Sequence, residues 1–182
     1  MTAQDDTLIE ATRQWLERAV IGLNLCPFAK SVHVKGQVHY AVSHATRWGA
    51  LLEDLDREID ALLATSADVR DTTLLMVPAL ADFVEFNGFL GEVERLIDQR
   101  ELAGILQVAS FHPQFEFGDA PAGDITHFTN RSPFPTLHLL REDSIARAVQ
   151  AFPQAEAIYD VNKATLRRLG HEGWLAVMRG QA

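Results

Sequence analysis

The chain predicts an α/β fold: a roughly four-stranded, mostly parallel sheet flanked by helices, with one long polar loop between the last two strands. Three observations carry that prediction. Long segments place apolar residues at helical spacing, short apolar or alternating runs lie between them, and the two kinds of segment alternate along the chain. That alternation is the pattern of parallel neighbours covered by helices.

The elements follow in order. Leu8, Trp15, Leu16, Ala19, Val20 and Leu23 form one helical stripe, which should stop near Leu25 because Pro27 drives Cys26 out of helical backbone. Val38, Tyr40 and Val42 alternate with polar residues as a half-buried strand does. Trp48, Leu51, Leu52, Leu55, Ile59, Leu62 and Leu63 mark the cleanest amphipathic helix. Thr73 to Val77 is short, apolar and closed by Pro78, a buried strand. Asp82 followed by Glu85 resembles a capping box, opening a helix that turns Phe86, Phe89, Leu90, Val93, Leu96 and Ile97 inward. Ile105 to Phe111 reads as another buried strand and Leu137 to Leu140 as the last. Between them, from His112 to Pro135, periodicity vanishes. One helix through Ile145, Val149 and Phe152 and one or two more through Val161, Leu166, Leu169 and Trp174 complete the chain.

The 182 residues fit one domain spanning 1–182, without repeats or linkers. A net charge of −9, with no basic run to offset it, argues against nucleic acid and anionic membranes as partners. The single cysteine excludes an internal disulfide. The acidic start MTAQDDTLIE is unlike a secretory signal, and no apolar run is long enough to span a bilayer; a cytoplasmic protein is expected.

The residues suited to chemistry concentrate between Phe111 and Arg141. His112 stands at the carboxyl end of a predicted strand, the edge where open α/β sheets place ligands. Pro133 and Pro135 stiffen the segment that presents Asn130, Arg131 and Ser132. One reading is a site for a small anionic ligand. Arg131 and Arg141 clamp a carboxylate or phosphate, Thr129, Asn130 and Ser132 add donors, His112 or His138 transfers a proton, and Asp124 orients the imidazole. A second is a metal site built from His112, His138 and Asp124, although their spacing matches no compact metal motif. A third is that the segment only shapes a loop. If the flanking strands pair antiparallel, the two histidines share a face only in a register that pairs even-numbered residues with even-numbered ones.

Outside this segment, Cys26 follows a helix C-terminus, where the dipole disfavours a thiolate, and a buried small hydrophobe is the better reading. His33 and His39 flank Lys35-Gly36; a tight hairpin there would put them on opposite faces of the ribbon. Asp160, Asn162 and Lys163 read as a solvated helix start.

The segments WLERAVIGLNLCPFA (Trp15 to Ala29), FHPQFEF (Phe111 to Phe117) and TNRSPFPTLHLLRED (Thr129 to Asp143) resemble signature blocks of the bacterial family called domain of unknown function 1415. The resemblance covers nearly the whole chain. It implies a small, stand-alone cytosolic protein and no particular activity. It marks Asn24, Cys26, Pro27, His112, Pro113, Asp124, Thr129, Asn130, Arg131, Ser132, Pro133, His138 and Arg141 as places without assigning them roles. His127 falls outside the marked pattern.

The leading expectation is therefore binding or turnover of a small anionic metabolite within 111–141. A non-catalytic interaction domain and a metal-dependent enzyme using His112 and His138 are the alternatives. No motif names a cofactor or an oligomeric state.

Overall fold

In the computed structural model, which describes residues 2–151 and 157–181, the chain begins with α1 (Ala3–Trp15). Thr2 caps it: the Thr2 hydroxyl accepts from the Asp5 N–H while the Asp5 carboxylate accepts from the Thr2 N–H. The helix then widens into a π-helical segment, Leu16–Ile21. It ends before the proline is reached. Asn24 takes a left-handed backbone (φ 54°), a conformation asparagine tolerates, and the Leu25 N–H turns back to the Val20 carbonyl. Gly22 is required here, because a Cβ would stand 2.2 Å from the Arg18 carbonyl oxygen.

A short helix follows, α2 (Ala29–Val34), and leads through Gly36 (φ 70°) into β1 (Val38–Val42). The expected hairpin at Lys35-Gly36 is therefore a helix-to-strand turn. His33 lies on a helix and His39 on a strand. The remaining order is α3 (Trp48–Ala64), β2 (Thr72–Met76), α4 (Phe83–Gln99), β3 (Leu106–Phe111), a 3-10 turn (Ile125–Thr129), β4 (Thr136–Arg141), α5 (Glu142–Ala151) and α6 (Ile158–Met178). Asp82 caps α4 by accepting from the Glu85 N–H. Phe152, expected in α5, lies outside the described residues. Gly170 (φ 67°) breaks α6 into two pieces. Asn162 is not solvated as expected: it is buried and donates to the Leu25 carbonyl at 2.8 Å, tying α6 to the turn after the π-helical segment. Among the described residues no helix is long and apolar enough to cross a membrane.

The four strands form one sheet in the order β1-β2-β4-β3. The prediction of a mostly parallel sheet is corrected at this point. β1, β2 and β3 do run the same way, but β4 runs against them and inserts between β2 and β3, so only the β1–β2 pair is parallel. The long 112–135 loop makes this possible by carrying the chain back to enter the sheet beside β3.

One face of the sheet is filled by α3 and α4. Leu75, Leu137 and Leu139 meet Leu51, Leu55, Phe86 and Phe89 there, all of them essentially inaccessible to solvent. Burial of side chains on this scale, at roughly 25 cal/mol per Å² of apolar surface, is the main force holding the fold. The opposite face is covered by α1, the π-helical segment and α6, around Trp15, Ala19, Leu166 and Trp174.

Candidate functional site

The parity test set by the sequence has a definite outcome. β3 and β4 pair antiparallel with Ala109 opposite His138 and Phe111 opposite Thr136, so even-numbered residues face odd-numbered ones. His112 and His138 therefore lie on opposite sides of the sheet. They cannot share an ion or a substrate. Among the described residues no three His, Cys, Asp or Glu side chains gather as metal ligands.

His112 belongs to the packed face. It is wholly buried, its Nε2 contacts the Leu80 carbonyl at 3.1 Å, and its Nδ1 accepts from the Gln114 N–H at 3.0 Å. Its ring packs against Phe83 and Phe86. Burial pushes its pKa down. With both nitrogens committed, His112 pins the start of the long loop.

Its companions in the loop, Thr129 excepted, are similarly engaged. Asp124 caps the 3-10 turn, and the Thr126 N–H and hydroxyl hold its carboxyl below the usual range, so it orients neither His112 nor His138. His127, buried, accepts from the Phe117 N–H and contacts the Pro121 carbonyl. The Asn130 carbonyl accepts from the His112 N–H, and its side chain donates to the Ser110 carbonyl. The Ser132 hydroxyl donates to the Phe134 carbonyl. Among the described residues the buried Thr129 hydroxyl has no hydrogen-bond partner. Arg131 donates to the Phe115 carbonyl and stacks its guanidinium 4.6 Å above the Phe128 ring.

Arg131 and Arg141 do not form the expected clamp. Arg131 precedes β4 and Arg141 ends it, so they stand at opposite ends of a strand about 20 Å long. Arg141 donates to the carbonyls of Leu62, Thr65 and Arg70, closing the C-terminus of α3.

His138 has different surroundings. It occupies the middle of the second sheet face, flanked by Leu74 on β2 and Ala109 on β3. Above it lies a cleft of about 720 Å³. Trp15, Leu16 and Val20 make one wall with Cys26 and Phe28, and Ile145 and Ala148 of α5 make the other. The floor rows follow from the register. Val38, Thr72, Leu140 and Gln107 lie toward the end where β1, β2 and β3 begin; Leu74, His138 and Ala109 lie at the centre; Phe111 lies behind. The cleft's charged residues, Lys35, Asp68, Asp71, Arg141 and Arg147, all belong to that first end. The cleft thus lies toward the amino ends of the parallel strands, opposite to the carboxyl-end position expected from His112.

Two features shape this space. The π-helical segment carries Leu16 and Val20 into the wall; such segments recur at functional sites because they displace side chains from regular helical register. Ala109 beside His138 leaves the floor open where a larger residue would fill it.

The protonation of His138 follows from its partner. The Thr72 hydroxyl has one hydrogen, and it is donated to the Leu139 carbonyl at 2.6 Å. The 2.7 Å contact between Thr72 Oγ1 and His138 Nε2 must then be an Nε2–H donated to the hydroxyl. Nδ1 is left with the lone pair. No group among the described residues bonds to it, and it is not among the sealed polar atoms, so it is reachable from the cleft. Enclosure of the ring lowers its pKa to about 4, which keeps it neutral near pH 7.

Cys26 also reaches the cleft. Burial pushes its thiol up, and amide N–H groups of Phe28 and Ala29 turned toward the sulfur offset this only in part. Asn24 acts through its backbone in the turn that sets this wall. The sequence reading did not single out Thr72, Gln107 or Ala109. For Gln107 and Ala109 the signal was the alternation in β3, where they share a face with Phe111.

No curated protein and no solved structure matches the chain. The family described as "Protein of unknown function (DUF1415)" matches residues 7–176, nearly the whole chain, and the chain belongs to that family.

Proposed function

We propose that the protein binds a small organic anion with an apolar body in the cleft above His138. One observation carries the reading: the cleft is apolar around His138 and gathers its charged side chains at one end, where the exposed cations Lys35 and Arg147 stand beside Asp68 and Asp71, the latter already accepting from the Ser144 hydroxyl. The size falls within the roughly 300–1,000 Å³ of small-molecule sites, and an apolar lining with a few polar groups is their usual character. Charge at one end and apolar residues at the other suit an amphipathic ligand. One further observation supports the reading. The helix α5, which contributes Ile145 and Ala148 to the wall, has no buried residue of its own.

The probe for this site is anilinonaphthalene sulfonate, an apolar double ring with an anionic end, whose fluorescence rises on leaving water. Titration of the native protein is expected to saturate at one probe per chain. Ala109→Phe fills the centre of the floor and is expected to abolish the signal while the protein remains folded by circular dichroism. Equal binding by the variant would place the probe elsewhere and defeat the proposal.

A further inference from the structure

We infer that the cleft selects ligands carrying a hydroxyl or N–H donor, which His138 Nδ1 accepts at the centre of the floor. The inference rests on the cleft reading above and narrows the ligand class that it allows. The Thr72 hydroxyl is committed to the Leu139 carbonyl, so the imidazole is held with Nε2 protonated and Nδ1 bare. The neighbours of His138 on the sheet face, Leu74 and Ala109, offer no side-chain donor. A bare acceptor in an apolar cleft discriminates strongly. A ligand that donates to it gains a poorly screened hydrogen bond, whereas one that covers it with carbon leaves a polar atom unpaired.

The register also sets the ligand's proportions. Leu140 follows His138 by two residues on the same face of β4, and the cleft's charged end lies at and beyond it, so the donor and the anionic end would stand about 7 Å or more apart at the rise of a strand. The chemical class is a flat or compact apolar acid with a hydroxyl or ring N–H near the end remote from its acid group. His138 acts here as a fixed acceptor. Its low basicity, a consequence of enclosure, suits it to accept a hydrogen bond and not to take up the proton.

The test uses a matched pair of probes against the full chain: a hydroxynaphthoate with its hydroxyl and carboxylate at opposite ends of the ring pair, and the methyl ether of the same compound. Competition with anilinonaphthalene sulfonate reports both affinities. The hydroxyl compound is expected to bind about tenfold more tightly, the worth of one hydrogen bond in a water-poor site. His138→Leu is expected to reduce that preference below about twofold. Should the Leu variant fail to fold, His138→Phe serves the same purpose. Nitrogen-15 spectra of the ligand-free protein give an independent check, with His138 Nδ1 unprotonated and Nε2 protonated. Equal affinities in the native chain, a preference that survives both substitutions, or a protonated Nδ1 would each overturn the inference. Binding of the sulfonate probe with neither naphthoate displacing it would also overturn the donor assignment while leaving the cleft reading intact. Failure of the sulfonate probe itself would remove the cleft reading and this inference with it.

Discussion

The two faces of the sheet are built from alternate residues of the same four strands, yet they end in different states. Toward α3 and α4, Leu75, Leu137 and Leu139 meet Phe86 and Phe89 with no accessible surface left. On the other face, His138 and Ala109 occupy the places where large apolar residues would be expected, and about 720 Å³ stays open above them. Each face has its histidine. His112, on the closed face, has both ring nitrogens engaged by backbone; His138, on the open one, keeps Nδ1 bare. A polar ring can therefore serve as structure or as site, and what separates the two is whether the fold uses up its hydrogen-bonding capacity.

Substitutions on the two faces should separate by size. Phe86→Ala removes a fully buried ring from the closed face and is expected to cost about 3–5 kcal/mol in chemical denaturation. Leu140→Ala on the partly exposed cleft floor should cost less than half as much; equal losses would mean that the second face is packed as tightly as the first.

Acid sharpens the comparison. His138 has a folded pKa of about 4 against an ordinary value of 6.5. The unfolded chain therefore takes up this proton first as pH falls, so the contribution is whole above about pH 6.5 and is lost on the way down to 4. The loss amounts to roughly 3 kcal/mol. Urea unfolding at a series of pH values should show that share of the acid sensitivity vanish in His138→Leu. His112, also lowered by burial, adds sensitivity of the same sign that remains in the variant. An unchanged pH profile would contradict the enclosed position of His138.

At neutral pH the histidines should rank the other way. His112→Leu orphans the Gln114 N–H and the Leu80 carbonyl and is expected to cost about 2–3 kcal/mol, against less than about 1 kcal/mol for His138→Leu. Thermal melts of the two variants provide this check. The smallest effect belongs to the cleft's exposed cations. Arg147→Ala should leave the melting temperature unmoved and weaken the sulfonate probe about two- to fivefold, the range of a solvent-screened charge.

Much of this contrast was legible in the sequence, and its division between faces was not. The stripes Leu51-Leu55-Ile59-Leu62 and Phe86-Phe89-Val93 predicted α3 and α4 because period alone marks an amphipathic helix. The strands and the long loop also followed from local pattern. The insertion of β4 between β2 and β3 did not, because strand order depends on pairings distant in sequence. That one feature sets the register, and the register parts His112 from His138. The loop residues drew attention because their side chains suit catalysis. His127, Asn130 and Arg131 instead satisfy backbone groups of a long irregular segment, a demand that composition does not reveal. Conversely, Ala109 and Gln107 matter through where they lie on a face, and neither residue type announces a site. α2 was missed because six residues are too few to show a helical period.

The most direct test of the contrast is methyl nuclear magnetic resonance of the native protein with and without anilinonaphthalene sulfonate. Leu74, Leu140, Val20 and Ile145 report on the cleft; Leu51, Leu55, Leu137 and Leu139 report on the closed face. Shifts confined to the first group, saturating together with the fluorescence, are expected. Shifts in the second group, or small shifts scattered over the surface, would contradict a binding cleft above His138.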